Sequence, residues 1–168
     1  MTDARAIDPS AADATLDAIE GVYGSRGAAF LRVATAITGD AAAAHDSIQE
    51  GFALAIRHRG RYRGDGRLEA WIWRLVVNAA RSQRRRRTPV PTAEIDALPA
   101  SSPSELGELR ALVTKLPERQ RLAVFLRYYA DLDYAAIGTA LGIRTGTVSA
   151  TLAAGIRSLR RMAEEVEL

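Results

Sequence analysis

The chain has 168 residues, 48% of them apolar and 26% charged, with no cysteine and two histidines, His45 and His58. Disulfides, thiolate chemistry and cysteine-ligated metal sites are thereby excluded, and a histidine-rich metal or acid–base centre is not expected. The net charge is only +3, yet residues 57–87 carry eleven Arg and two acids, whereas residues 1–56 carry three Arg and eight acids. A basic block of that density between acidic flanks fits a polyanion better than it fits general solubility.

Along the chain the periodicity is helical and no convincing strand appears. After an N-terminal tail, residues 1–13, apolar residues recur at helical spacing: Leu16, Ile19, Val22 and Tyr23, then Phe30, Leu31, Ala34 and Ile37. Gly21, Gly24 and Gly27 are expected to break this stretch into two helices. Thr38-Gly39-Asp40 reads as a stop followed by a new N-cap. A helix over about 41–58 follows, with Ile48, Phe52, Ala55 and Ile56 inward. Residues 60–67 form a Gly-rich basic loop. A long helix runs from Leu68 to Arg86, with Trp71, Ile72, Leu75 and Val76 as buried candidates. Residues 88–103 hold four prolines among sixteen residues and read as a linker. Beyond it, Leu106 to Leu116 gives a helix ended by Pro117, and Arg119 to Tyr129 gives another. Two short helices, 134–141 and 145–160, are joined by a tight turn at Gly142.

That last pair has helix-turn-helix spacing: Ile137 and Leu141 four apart, Ile143 inside the turn, then Val148, Leu152 and Ile156. Plain helical packing is the alternative. Four consecutive arginines, Arg84 to Arg87, end the long helix, where they face the negative end of its dipole. They are a phosphate-contacting stripe or a solvated helix end. Tyr62, Trp71 and Trp73 lie within the basic segment, and aromatics among arginines suit stacking on unpaired bases. Trp71 and Trp73 cannot both face the same way, so one is expected near the surface. The start of the chain lacks a signal-peptide core and no apolar run spans a bilayer. A cytoplasmic protein without membrane insertion is expected.

Several of these segments together resemble bacterial extracytoplasmic-function (ECF) sigma factors. The resemblance rests on Leu31-Arg-Val-Ala34, Thr38-Gly-Asp40, the run from Ala44 to Phe52, Tyr62 to Trp71, and Arg74-Leu-Val-Val-Asn78 with its basic continuation. In the second half it rests on Leu116-Pro-Glu-Arg-Gln-Arg121, Leu126-Arg-Tyr-Tyr129 and the helix-turn-helix. It implies an all-α fold of two small helical domains, a sigma domain 2-like unit at 14–87 and a sigma domain 4-like unit at 104–168. It implies a transcription initiation factor rather than an enzyme, with no catalytic residue, cofactor or metal. The implied partners are core RNA polymerase through its β′ and β subunits, promoter DNA, and an anti-sigma factor.

By the same resemblance, Asp46, Gln49, Glu50 and Phe52 would bind core polymerase. Tyr62, Arg63, Arg67, Trp73, Arg74, Asn78, Arg81, Arg84 and Arg85 would take the −10 element, with a flipped base held in a pocket. Arg144, Thr145, Thr147, Ser149, Ala150, Thr151 and Arg157 would meet the −35 element. There the chain departs from the family pattern: Ser149, Thr151 and Ala154 stand where basic residues are usual, Ala136 replaces an acid, and His45 replaces a Glu. Without arginines the recognition face loses bidentate guanine readout, so weak or unusual −35 recognition is expected. Two other readings remain open at this stage: a sigma-like adaptor with little −35 recognition, and a plain helix-turn-helix regulator.

Overall fold

A computed structural model describes residues 14–64, 66–87 and 105–167. Seven α-helices occur among them: α1 (Leu16–Thr38), α2 (Ala41–His58), α3 (Leu68–Arg86), α4 (Glu105–Thr114), α5 (Glu118–Tyr128), α6 (Tyr134–Leu141) and α7 (Thr145–Glu167). One 3-10 turn, Arg59–Arg61, follows α2. There is no strand among the described residues, so the all-α expectation is met. The expected tail and linker lie outside the described residues.

α1 begins where the Thr15 hydroxyl accepts from the Ala18 N–H at 3.1 Å. It ends at Gly39, whose φ of 72° only glycine adopts freely and whose N–H donates to the Thr35 carbonyl. Asp40 then caps α2 by accepting from the Ala43 N–H at 3.0 Å. The expected break in α1 does not occur. Gly21, Gly24 and Gly27 are not among the positive-φ glycines, and a Cβ at any of them would meet nothing within 4 Å. Each costs about 1 kcal/mol relative to alanine, but tertiary burial of Ala29, Phe30, Val33, Ala34 and Ile37 carries the helix through.

The first three helices pack on one another around aromatic rings. Phe30 stacks on Trp73 at 3.9 Å and meets Phe52 edge-on at 5.2 Å. α2 and α3 approach at Gly51, where a Cβ would lie 2.5 Å from Val76 Cγ2 and 2.8 Å from Val76 Cα. The buried stripe of α2 is centred on Ala44, Ile48, Gly51 and Ala55. Ile56, expected inward, falls at the edge of that stripe and is 42% exposed, lining a groove with Leu16, Ile19, Tyr23 and Phe52.

The second unit closes over Leu122, Phe125, Leu126, Leu132, Ile137, Val148 and Leu152. Its turn uses glycine twice. Gly142 ends α6 at φ 67°, and a Cβ on Gly138 would lie 2.8 Å from the Ile143 carbonyl oxygen. α7 continues to Glu167, past the expected end near 160. The two units are docked on each other. α6 lies against α3 and α5 against α1, and the apolar side chains of both units join in one cluster.

Candidate nucleic-acid and polymerase interface

α3 buries Ile72, Trp73, Val76, Val77 and Ala80. Its other side carries Trp71, Arg74, Asn78 and Arg81 at steps of three and four, with Arg67 at the N-cap. Arg67, Arg74 and Arg81 therefore recur every seven residues along one stripe, spanning roughly 21 Å at the helical rise. Arg74 and Asn78 on that stripe are exposed.

Trp73, expected to touch DNA, is fully buried instead. It stacks on Phe30, and its indole N–H donates to Glu69 Oε1 at 3.3 Å. The inward pairs of α3 are 72/73, 76/77 and 79/80, so position 73 belongs to the core and position 71 to its margin. Trp71 is the half-buried aromatic, its ring centroid 5.5 Å from that of Tyr62. The Tyr62 hydroxyl donates to the Gly66 carbonyl at 2.6 Å, while Gly64 and Gly66 take φ of 73° and 96°. The chain thus folds a tight basic loop, with Arg63 exposed, against the start of α3.

The arginine run at the end of α3 divides. Arg86 lies 3.9 Å from Glu50, and Arg87 pairs with Asp40, both back toward α2. The Ala43 N–H and then Arg87 hold the Asp40 carboxyl below the usual carboxylate range. Arg85 is exposed, and Arg84 sits close enough to α5 to act on the charges of Glu118 and Arg121.

On α2, Asp46 and Gln49 are exposed and Glu50 is half-buried, one polar face at i, i+3 and i+4. Phe52, expected beside them by resemblance and inward by periodicity, is 8% exposed. Two residues beyond Glu50 is roughly 200° around a helix, which turns Phe52 into the core between Phe30 and Tyr23. On α7, Thr145, Thr147, Ser149 and Ala150 are exposed, with Arg144 before them and Arg157 well beyond. The Thr151 hydroxyl donates to the Thr147 carbonyl at 2.7 Å.

What sequence reasoning missed is the set of contacts that joins the two units. Arg81 makes a bidentate pair with Glu118 of α5, at 3.0 and 3.1 Å. Arg67 donates to Asp133 at 2.5 Å. Arg26 bridges Glu69 at 2.8 Å and donates to the Ala130 carbonyl, and Arg32 donates to the Tyr129 carbonyl at 3.2 Å. Between the Arg67 and Arg81 contacts, the Arg74 guanidinium lies against Gly142, 3.7 Å from where a Cβ would stand. In these four bonded contacts the cation comes from the first unit and the acceptor from the second. The hydrogen bond from Arg81 lowers the Glu118 pKa first of all, opposed by partial burial and aided by the charges of Arg84 and Arg121. Burial, with Arg84 nearby, holds Arg121 below the usual arginine range, and Arg121 donates to the Thr114 carbonyl at 2.8 Å. Sequence gave one hint only. Glu118 and Asp133 stand at helix N-termini, where acids are common for local reasons.

No group of three or more metal-ligating side chains occurs among the described residues, and no helix among them is long and apolar enough to cross a membrane. Family models described as Sigma-70 region 2 and Sigma-70, region 4 match residues 22–89 and 106–159. The chain is 32% identical to the ECF RNA polymerase sigma-E factor of Escherichia coli strain K12, over 61% of this chain and 64% of that one. The fold resembles solved structures of CnrH in complex with the cytosolic domain of CnrY (TM-score 0.71, 18% identity, 93% of this chain and 96% of that one) and of the sigma factor RpoE with the anti-sigma factor NepR from Bartonella quintana (TM-score 0.63, 17% identity, 89% and 93%). It is 30% identical to the ECF RNA polymerase sigma factor SigL of Mycobacterium tuberculosis over 97% of both chains. With both sigma regions present in order, the chain belongs to the ECF family of RNA polymerase sigma factors.

Proposed function

We propose that this sigma factor divides its work between the two docked units. The outer face of α2, with Asp46, Gln49 and Glu50, meets a basic surface of core polymerase. The stripe Arg67, Arg74, Asn78 and Arg81, with the loop from Tyr62 and the pair Tyr62/Trp71, takes the melted −10 element. Its arginines hold phosphates, and Asn78 both donates to and accepts from one base edge. The observation that carries this reading is the single stripe on α3, which sets one amide among three guanidiniums. Arg63, Arg84 and Arg85 extend the cationic path on either side of it. α7 meets the −35 element through Arg144, Thr145, Thr147, Ser149, Ala150 and Arg157. Its exposed neutral face supports a second reading, an adaptor that binds polymerase with little −35 recognition. An anti-sigma factor as regulator is supported by RpoE, whose solved structure holds one.

Run-off transcription with purified core polymerase on genomic promoter fragments tests the division. Asn78→Ala is expected to cut specific transcripts about tenfold while core binding persists, the size of losing one two-bond base contact. Asp46→Arg is expected to abolish both core binding and transcripts. Transcripts that survive both substitutions would refute the assignment of the two faces.

A further inference from the structure

We infer that the cationic track for a melted strand does not end with α3 and its loop but continues to the end of α2, where Arg57, Arg59 and Arg61 take the phosphates that adjoin the −10 element. This rests on the proposed −10 role of α3. Residues 57–63 hold four arginines and His58 with no acid among them. Arg57, Arg59, Arg61 and Arg63 are all exposed. No carboxylate among the described residues pairs with any of them. They also stand apart from the contacts that join the two units, which use Arg26, Arg32, Arg67 and Arg81.

Local structure accounts for part of this charge only. Arg57 and His58 lie in the last turn of α2, where a cation meets the negative end of the dipole. Arg59 donates to the Ile56 carbonyl at 2.9 Å and so satisfies one free acceptor of that helix end. Neither account reaches Arg61 or Arg63, which lie beyond the helix. The turn carries them instead to the aromatic pair. The Tyr62 N–H donates to the Arg59 carbonyl at 3.2 Å, and the Tyr62 ring lies against Trp71 with Arg61 and Arg63 on either side of it in the chain. The patch is therefore continuous with the site assigned to unpaired bases. Cations recurring at every second residue suit the repeating charge of a strand, and guanidinium is the cation that binds phosphate bidentately.

The test uses the full chain and the triple variant Arg57→Gln, Arg59→Gln, Arg61→Gln, titrated with oligothymidylates from about four to about sixteen nucleotides, the span of common single-strand sites. Arg119→Gln with Arg160→Gln and Arg161→Gln, three exposed arginines of the second unit, is the charge-matched control. The native chain and the control are expected to gain affinity with length beyond the point at which the triple variant levels off. Three single-strand contacts contribute about 2.1 to the slope of log affinity against log salt. The advantage of the native chain over the triple variant on long oligonucleotides should therefore shrink about 18-fold between roughly 50 and 200 mM salt. Replacing the same three arginines by Lys should preserve the slope. Equal length dependence in the native chain and the triple variant would overturn the inference. So would a triple variant that binds oligonucleotides normally and loses core polymerase, since the patch would then be a protein contact. Arg74→Ala decides the −10 reading separately. It should weaken binding at every length, and if it has no effect at any length that reading fails, whatever the three arginines do.

Discussion

α3 and α7 are both assigned to nucleic acid, yet they are built in opposite ways. α3 sets arginines at 67, 74 and 81 along one stripe, and the other half of the molecule pairs with the first and the last and lies beside the middle one. α7 offers threonine, serine and alanine to solvent, and the packing leaves that face open. The cationic surface attracts carboxylates of its own chain as readily as phosphates, whereas the neutral one attracts neither. The covered surface carries charge pairs beside an apolar cluster shared by both units, and the uncovered one carries neither.

The first way to sharpen this contrast separates the core of α3 from its surface. Trp73→Ala removes a fully buried ring stacked on Phe30 and is expected to cost about 3–5 kcal/mol in chemical denaturation. Trp71→Ala, at the half-buried margin, is expected to cost under about 1.5 kcal/mol, below the range for fully buried side chains, and to weaken oligonucleotide binding instead. A reversed order would place the wrong tryptophan in the core.

The next break is made at the glycines that set each unit. Gly51→Ala drives a methyl into the Val76 backbone, and Gly138→Ala drives one into the Ile143 carbonyl. Each is expected to cost about 1–3 kcal/mol, the range for overpacking. Limited proteolysis should show Gly51→Ala loosening the first unit and Gly138→Ala the helix-turn-helix. Gly24→Ala, on the open side of α1, is expected to raise stability slightly.

A smaller effect tests the neutral face directly. Ser149→Arg adds one cation to exposed α7 and is expected to strengthen duplex binding. The slope of log affinity against log salt should become more negative by about 0.9, one phosphate contact on B-DNA. An unchanged slope would mean that this face does not approach the duplex.

The smallest expected effect is acid opening. Glu118 faces Arg81 and Arg84 from α3 and Arg121 from its own helix, and its pKa in the closed chain is lowered, first by the hydrogen bond from Arg81. A carboxylate with a depressed pKa favours the closed state at full strength above its ordinary value. That contribution fades as pH falls below the ordinary value and is gone below the depressed one. The distance between labels on Ala53→Cys and Ala153→Cys, one in each unit, should therefore stay constant near neutrality and lengthen only in acid, and Glu118→Gln should reduce that acid response.

Much of this was legible because it is local. The Thr38-Gly39-Asp40 junction, the Gly142 turn and the span of α3 follow from capping and periodicity, and the structure places them as read. The break expected in α1 was misread because glycine propensity is a local cost, whereas the burial that outweighs it comes from α2 and α3. Reading Trp71 inward and Trp73 toward DNA reverses what the structure shows, for the same reason: both sit on plausible faces until the partner helices fix which one is inward. The polar face of α2 and the inward turn of Phe52 can both be read from spacing; only the resemblance sets Phe52 against polymerase, and there the structure disagrees. The contacts of Arg26, Arg67 and Arg81 join residues far apart in sequence, and no short-range pattern announces them.

Asp133 divides its carboxylate between two tasks. Oδ1 accepts the Ala136 N–H and starts α6, and Oδ2 accepts from Arg67. Separation of the units frees one oxygen and leaves the other in place, so the helix-turn-helix keeps its cap while it departs. Opening is then a rigid-body movement, with no local melting to slow it. Its rate belongs with the microsecond-to-millisecond motions of whole domains, well ahead of unfolding.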